Sequence, residues 1–232
     1  LVALDRVHQK IKLISLARDS YVFIPEFASF SKLAYSYTWG GAAMAVKNLN
    51  YNYYLNVSDY IAVDFDQLAE IIDRIGGVTV NIDEDEARYL SNYPNVHVGD
   101  CLLDGETAVS YARIRKSSAT DSDRKRTGRQ REVILSILNT LQTMPLSQYP
   151  GFVRDCLGMC ATSFEAETLL TMAAETLGQN YTVEQYFFPE GQVDWWAGLI
   201  KEYFYYVYDL RRASDRIYRI IYEELYISGY DD

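Results

Sequence analysis

Asp59-Tyr60-Ile61-Ala62-Val63-Asp64-Phe65 and, further on, Gly76-Gly77-Val78-Thr79-Val80-Asn81-Ile82 frame the most regular pattern in the chain. Residues 60–63 are apolar and β-prone and read as a strand. Asp64 or Asp66 stands where a helix cap belongs, and Phe65, Leu68, Ile72 and Ile75 keep helical spacing behind it. The Gly76-Gly77 pair ends that helix, and residues 78–82 alternate apolar and polar as a strand does. Strand, helix and strand in succession form a βαβ-like unit and predict the α/β class.

Before this unit, residues 1–4 read as a strand, 5–9 as a turn and 11–16 as a second strand. Residues 21–24 continue extended and stop at Pro25. Residues 27–39 are aromatic and Ser-rich without a clean period. Gly40-Gly41 breaks the chain, and residues 42–49 read as a short helix. Beyond the central unit, residues 83–100 are polar and irregular, Leu103-Asp104-Gly105-Glu106 leads into a short helix, and residues 110–115 read as a strand. After a polar loop at 116–122, a long helix is predicted from 123 to about 144, with Val133, Ile134, Ile137, Leu138 and Leu141 as its apolar stripe and Pro145 as its stop. Helical patterns at 152–157 and 165–177, a strand at 185–188 and a helix at 214–225 complete the chain. No repeat, low-complexity tract or linker interrupts it, which predicts one domain over residues 1–228.

Composition narrows the function classes. The 232 residues are 49% hydrophobic and 23% charged, the mix of a folded globular protein, and net charge is −10. A chain that coats nucleic acid should be basic, so no nucleic-acid partner is expected. Two histidines and three cysteines are too few for zinc or Cys/His catalysis to be a natural reading. Cys156 and Cys160 lie four apart, with Cys101 distant in sequence, and any disulfide among the three is left open. The 21 tyrosines suit half-buried surfaces with one wet end. No apolar run approaches the roughly 20 residues that cross a bilayer. The chain opens without Met inside an apparent strand, so a truncated piece of a longer protein is expected.

The basic residues are concentrated rather than spread. Between Tyr111 and Arg131, 8 of 21 residues are Lys or Arg, of 22 in the whole chain. Arg113 and Arg115 are two apart on the expected 110–115 strand, which would point them to one face. Arg126, Arg129 and Gln130 are three and four apart near a helix start and share a helical face. If the strand end meets the helix start, guanidiniums converge where backbone N–H groups add to the positive field. Such a cluster repels itself without an anion, and the planar fork of Arg fits phosphate. A multiply charged ligand such as a pyrophosphate is the expectation. Lys116, Arg124, Lys125 and Arg131 read instead as solvated helix-face charges. Arg18 closes an apolar strand and is followed by Asp19, at a sheet end where α/β sites form; alone it reads equally as half of a strand-end ion pair.

Together these segments resemble the LytR–CpsA–Psr family of cell-wall phosphotransferases. Ile14-Ser15-Leu16-Ala17-Arg18-Asp19-Ser20 is similar to its strand ending in Arg-Asp, and Lys32-Leu33-Ala34-Tyr35-Ser36-Tyr37 before Gly40-Gly41 to its Lys-containing segment. The 59–65 and 76–80 segments resemble its central strand–helix–strand. Leu103-Asp104-Gly105-Glu106 with Tyr111-Ala112-Arg113-Ile114-Arg115, and Asp123-x-x-Arg126-x-x-Arg129-Gln130, resemble its later signatures. The resemblance implies an α/β/α three-layer sandwich around a mixed central sheet. It implies transfer of an anionic glycopolymer, a teichoic acid or capsular polysaccharide, from a polyprenyl-pyrophosphate carrier to peptidoglycan. Arg18 and Arg126 would be catalytic, and Arg18, Arg113, Arg115, Arg126, Arg129 and Gln130 would hold the pyrophosphate, with the role of Arg129 least defined. The lipid would lie against apolar sides of the 65–75 and 133–141 helices.

The same resemblance implies a magnesium ion held by aspartates that would precede Leu1, so no metal ligand is assigned here and Asp5 and Asp19 are not promoted to that role. It also implies an extracytoplasmic setting at a bacterial membrane, with a transmembrane anchor upstream. Ala17 replaces the usual Pro before the Arg, and Ala34 the usual Asn after the Lys-apolar pair. Two further readings stand beside the enzyme: a non-catalytic module binding polyprenyl phosphates or anionic wall polymer, and a transcriptional regulator. The net charge and the lack of a helix-turn-helix pattern speak against the regulator.

Overall fold

The computed structural model describes residues 1–115, 123–176, 179 and 181–222. In chain order the elements are β1 (Val2–Asp5), β2 (Lys10–Leu16), β3 (Tyr21–Ile24), β4 (Ser29–Lys32), α1 (Leu33–Tyr53), β5 (Ile61–Ala62), α2 (Phe65–Arg74), β6 (Val78–Ile82), α3 (Glu84–Tyr89), β7 (Gly99–Leu103), α4 (Gly105–Arg113), α5 (Asp123–Thr143), α6 (Tyr149–Met159), β8 (Ala161–Thr162), α7 (Ala166–Thr176), β9 (Thr182–Phe188), β10 (Trp195–Ile200), β11 (Tyr203–Tyr208) and α8 (Leu210–Tyr222). The class is α/β with a mixed sheet, as the sequence predicts. Contacts gather into two compact units, Leu1–Tyr60 with Tyr181–Asp232, and Ile61–Asn180.

In the first unit, β2 lies between β1, antiparallel to it, and β9, parallel to it. A central strand is covered on both faces, and Ile11, Lys12, Leu13 and Ile14 are accordingly all buried. Lys12 is tolerated there because its aliphatic stem is covered while Nζ reaches Asp5 Oδ2 at 3.2 Å and the Ile221 carbonyl at 3.5 Å. Ile14, Val22, Ile24, Tyr53 and Phe188 form the core with Ala213, Ile217 and Ile220, the inward stripe of α8. Asn52 of α1 satisfies both backbone groups of Phe23 on β3, accepting from its N–H at 3.0 Å and donating to its carbonyl at 2.8 Å. The expected Gly40-Gly41 break is real. Both residues leave helical geometry, Gly41 with φ of 63°, and the helix is kinked there rather than confined to 42–49.

Asp5 holds the β1–β2 turn. Its Oδ1 accepts from the backbone N–H groups of Val7 and His8, and Oδ2 lies 2.9 Å from His8 Nδ1 and 3.2 Å from Lys12 Nζ. Burial opposes ionisation, but the bonds from His8 and Lys12 prevail and hold the carboxyl well below the usual range. A lowered folded pKa contributes stability that is complete above the unfolded value and is lost as pH falls through the folded one. Asp5→Asn should therefore cost about 2–4 kcal/mol at pH 7, chiefly by stranding the buried Lys12 ammonium. The gap between variant and wild type should close as pH falls below about 3 in denaturant titrations; a gap independent of pH would refute the role of the ionised carboxylate.

The second unit is built on the antiparallel β6–β7 pair. Val78, Val80 and Ile82 point inward and meet Ile72 of α2, Ala108, Tyr111 and Ala112 of α4, and Val133 of α5. Asp64 caps α2 reciprocally with Gln67, as the sequence suggests, and Gly76 and Gly77 follow with φ of 84° and 102°. Here three expectations are corrected. β5 and β6 do not form a βαβ pair: β5 pairs antiparallel with β8, and β6 with β7. The buried–exposed alternation along β6 is the mark of a half-solvated antiparallel strand, not of a parallel core strand. Residues 110–113 are helical, not extended, because Asp104 accepts from the Thr107 N–H as N-cap and Ala108, Tyr111 and Ala112 recur at helical spacing. Residues 84–89 are a helix as well, started by an Asp83–Glu86 capping box. Within the predicted stripe of α5, Val133 is buried but Ile134 is 44% exposed. The β10–β11 hairpin was not foreseen.

Candidate functional site

The arginine-rich stretch enters the second unit at the end of α4. Arg113 is the last residue of that helix and is exposed; its guanidinium carbon lies 4.5 Å from the centroid of the Phe65 ring at the start of α2. A cation over an aromatic face is held without neutralising its charge. Ile114 is fully buried, and Arg115 after it is again exposed. The two arginines thus flank one buried residue.

Arg129 sits differently. It is 3% exposed, and its Nε donates to Glu86 Oε1 at 2.6 Å while Nη1 donates to the Ile114 carbonyl at 3.0 Å. The second Glu86 oxygen accepts from the Asp83 N–H at 2.9 Å, so the same carboxylate caps α3. Tyr111, one turn before Ile114, donates to Glu132 of α5, and burial followed by that carboxylate pushes its phenol up. The first turns of α5 are therefore bonded to the segment that carries Arg113 and Arg115. Arg129 is thereby bonded to the backbone between Arg113 and Arg115, with its own guanidinium facing inward onto Glu86. Arg126 is half-buried and Gln130 exposed, four residues apart on the same helical face. Lys116 lies outside the described residues, as does the side chain of Arg124. Leu68, Ile72, Ile75, Val133 and Ile137, on helices the resemblance assigns to a lipid wall, pack in the core of this unit.

Arg18 belongs to the first unit and is exposed, with Nε 3.9 Å from Asp19 Oδ1. Asp19 is itself paired with Lys32 Nζ at 2.7 Å, and Lys32 stands 5.7 Å over the Tyr205 ring. The carbonyls of Arg18 and Ser20 accept from the N–H groups of Ala34 and Leu33, the first of α1. The turn beneath Arg18 is fixed from inside: Ser20 Oγ donates to the Ala17 carbonyl at 2.7 Å and lies 2.8 Å from Tyr208 Oη, which lies 2.6 Å from Tyr53 Oη. Burial pushes both phenols up, so they stay neutral hydroxyls. Sequence reasoning missed this hydroxyl chain and the Glu86–Arg129 pair. Only the Asp83-x-x-Glu86 capping pattern could have signalled the latter.

Among the described residues no group of three or more His, Cys, Asp or Glu gathers as metal ligands, and Asp19 is engaged by Lys32. The described side chains do not form a magnesium site. All three cysteines are free thiols; Cys101 is in the core and burial pushes Cys156 up to about 11. No described helix is long and apolar enough to cross a membrane.

This is an α/β protein with exposed guanidiniums carried on internally bonded backbone. The LytR–CpsA–Psr family model matches residues 1–218, and the chain belongs to that family. A polyisoprenyl-teichoic acid–peptidoglycan teichoic acid transferase, TagU of Enterococcus faecalis, is 32% identical over 132 residues, 57% of this chain and 42% of that protein. TagU of Oceanobacillus iheyensis is 28% identical over 190 residues, 79% of this chain and 58% of that protein. The chain spans about half the length of these curated relatives. Among solved structures, Bacillus subtilis TagT aligns with a TM-score of 0.77 at 19% identity over 95% of this chain and 83% of that one. TagT bound to LIIa-WTA gives 0.78 at 20%, with the same coverage. At these identities the likeness speaks for the fold.

Proposed function

We propose that this chain carries the phosphotransferase activity of its family, moving an anionic glycopolymer from a polyprenyl-pyrophosphate carrier to peptidoglycan at the wall side of a bacterial membrane. The observation that supports it most is the pair of exposed arginines, Arg113 and Arg115, flanking the buried Ile114, whose carbonyl is bonded by the buried Arg129. Positive charge fixed before the substrate arrives needs no reorganisation as negative charge develops, which is the main protein contribution to phosphoryl transfer. The acceptor hydroxyl attacks the sugar-side phosphorus, a new P–O bond forms, the bond to the bridging oxygen breaks, and polyprenyl phosphate leaves with the bridging oxygen. The hydroxyl proton passes to solvent. Arg113, Arg115, Arg126 and Gln130 take the diphosphate in this reading, and Arg129 acts chiefly as their support. Arg18 is assigned to the same donor on the family motif.

The test is transfer from a synthetic polyprenyl-pyrophosphate saccharide to peptidoglycan. Arg126→Ala should lower turnover by about two to three orders of magnitude, the scale of losing one fixed charge partner. Lys125→Ala, an exposed neighbour, should stay within about twofold of wild type. Equal effects of the two substitutions would refute the assignment. Donor binding without transfer would leave only a binding module.

A further inference from the structure

The first unit holds an open groove that the proposed reaction does not use. It has a volume of about 730 Å³ and lies between residues 191–195 and the outer face of α8. Arg212, Arg216 and Arg219 line it, spaced four and three apart along one stripe. The adjoining stripe, Ala213, Ile217 and Ile220, is buried, so helix amphipathicity explains why the outer stripe is polar. It does not explain why it is basic, since like charges four apart repel and the chain as a whole carries −10.

Arg212 and Arg216 are poorly neutralised where they stand. Arg212 reaches Asp194 only at 3.8 Å and Asp209 only at 4.0 Å, both beyond hydrogen-bond length. Arg216 is oriented by one bond, Nε to Gln192 Oε1 at 3.2 Å, and among the described residues its Nη groups have no hydrogen-bond partner. Trp195, 41% exposed, also lines the groove, with its ring 5.4 Å from that of Tyr206. Two guanidiniums beside an aromatic face suit a phosphate followed by the C–H surface of a polyol or sugar.

We propose that this groove is a second anion site that takes a phosphodiester-linked polyol or sugar chain, with phosphate against Arg212 and Arg216 and carbon skeleton against Trp195. A flat anionic membrane fits less well, because a groove admits a single chain rather than a surface, and Asp194 and Asp215 confine its positive charge to the arginine stripe. The preference for phosphate stands on the groove alone, whereas the choice of a wall glycopolymer rests on the proposed function.

The experiment titrates the chain calorimetrically with a synthetic glycerol-phosphate hexamer, which has neither lipid nor pyrophosphate. The hexamer should bind, more weakly as salt rises. R212E/R216E should weaken binding about tenfold or more, while R211E, the same reversal on the neighbouring exposed residue outside the groove lining, should stay within about twofold. Hexamer binding should also change the emission of the three tryptophans in wild type, and Trp195→Phe should remove that change, a readout that needs no charge reversal to fold. Equal loss in R211E, an unchanged Trp195→Phe response, or capture by phosphatidylglycerol vesicles with the hexamer inert would overturn the proposal. Because the hexamer lacks a pyrophosphate, its failure to bind would leave the transfer reading untouched, and loss of transfer would leave hexamer binding untouched.

Discussion

Arg129→Met should lower the stability of the protein by about 3–5 kcal/mol, the cost of breaking a buried ion pair from one side. For a chain of this size that is roughly 6–20 °C in the unfolding midpoint. The Met leaves the Glu86 carboxylate buried without its guanidinium and the Ile114 carbonyl without its donor. Glu86→Gln should also destabilise, because its amide has one oxygen, which can accept from Arg129 or from the Asp83 N–H but not from both. Combining the two should recover part of the loss, since Met then faces a neutral amide rather than a stranded charge. Calorimetric melts of the four proteins give this coupling directly. Transfer should fall with Arg129→Met even below its melting point, because the Arg113–Ile114–Arg115 segment loses its anchor. A variant that melts within about 1 °C of wild type would show that the pair does not hold the segment.

That residue also marks where sequence reading stops. The spacing of Arg126, Arg129 and Gln130 was legible, as was the prospect that the α5 start meets residues 113–115. The opposite orientation of Arg129 was not, since it depends on a carboxylate 43 residues away in a segment that looked irregular. Local signals otherwise read well: the Asp64 cap, the Gly76-Gly77 stop, the Gly40-Gly41 break and Pro145 act within a few residues and need no tertiary context. Strand pairing is a long-range property. Residues 60–63 and 78–82 look like partners across a helix, yet each pairs antiparallel with a strand that sequence could not rank. Helix α4 was missed because β-prone Val109, Tyr111 and Ile114 mask a helical stripe that Asp104 starts.

Gly105→Ala should be the most damaging single-carbon change in the second unit. A Cβ at Gly105 would stand 2.1 Å from the Ala69 carbonyl oxygen, 2.6 Å from its carbon and 2.7 Å from its Cα. All three are backbone atoms of α2, so no side chain can rotate away, and the helices must part. The Gly105 N–H also donates to Asp73 Oδ1 at 2.7 Å, a bond that parting would break. Overpacking of this kind costs about 1–3 kcal/mol and more where backbone must move, so a loss of at least about 3 kcal/mol is expected. The functional loss should exceed the share unfolded, because α4 ends at Arg113 and α2 begins at Phe65, the two sides of the cation–aromatic contact. Donor binding measured well below the melting point should weaken alongside the melt. Gly128→Ala is the counterpart: it lies within α5 with nothing near its added Cβ, and should stabilise by roughly 0.5–1 kcal/mol through helix propensity. Opposite signs at the two glycines would show that the Leu103-Asp104-Gly105-Glu106 motif is kept small by the close approach of α2. Loss of the same size at both would point to helix dynamics instead and remove the steric argument.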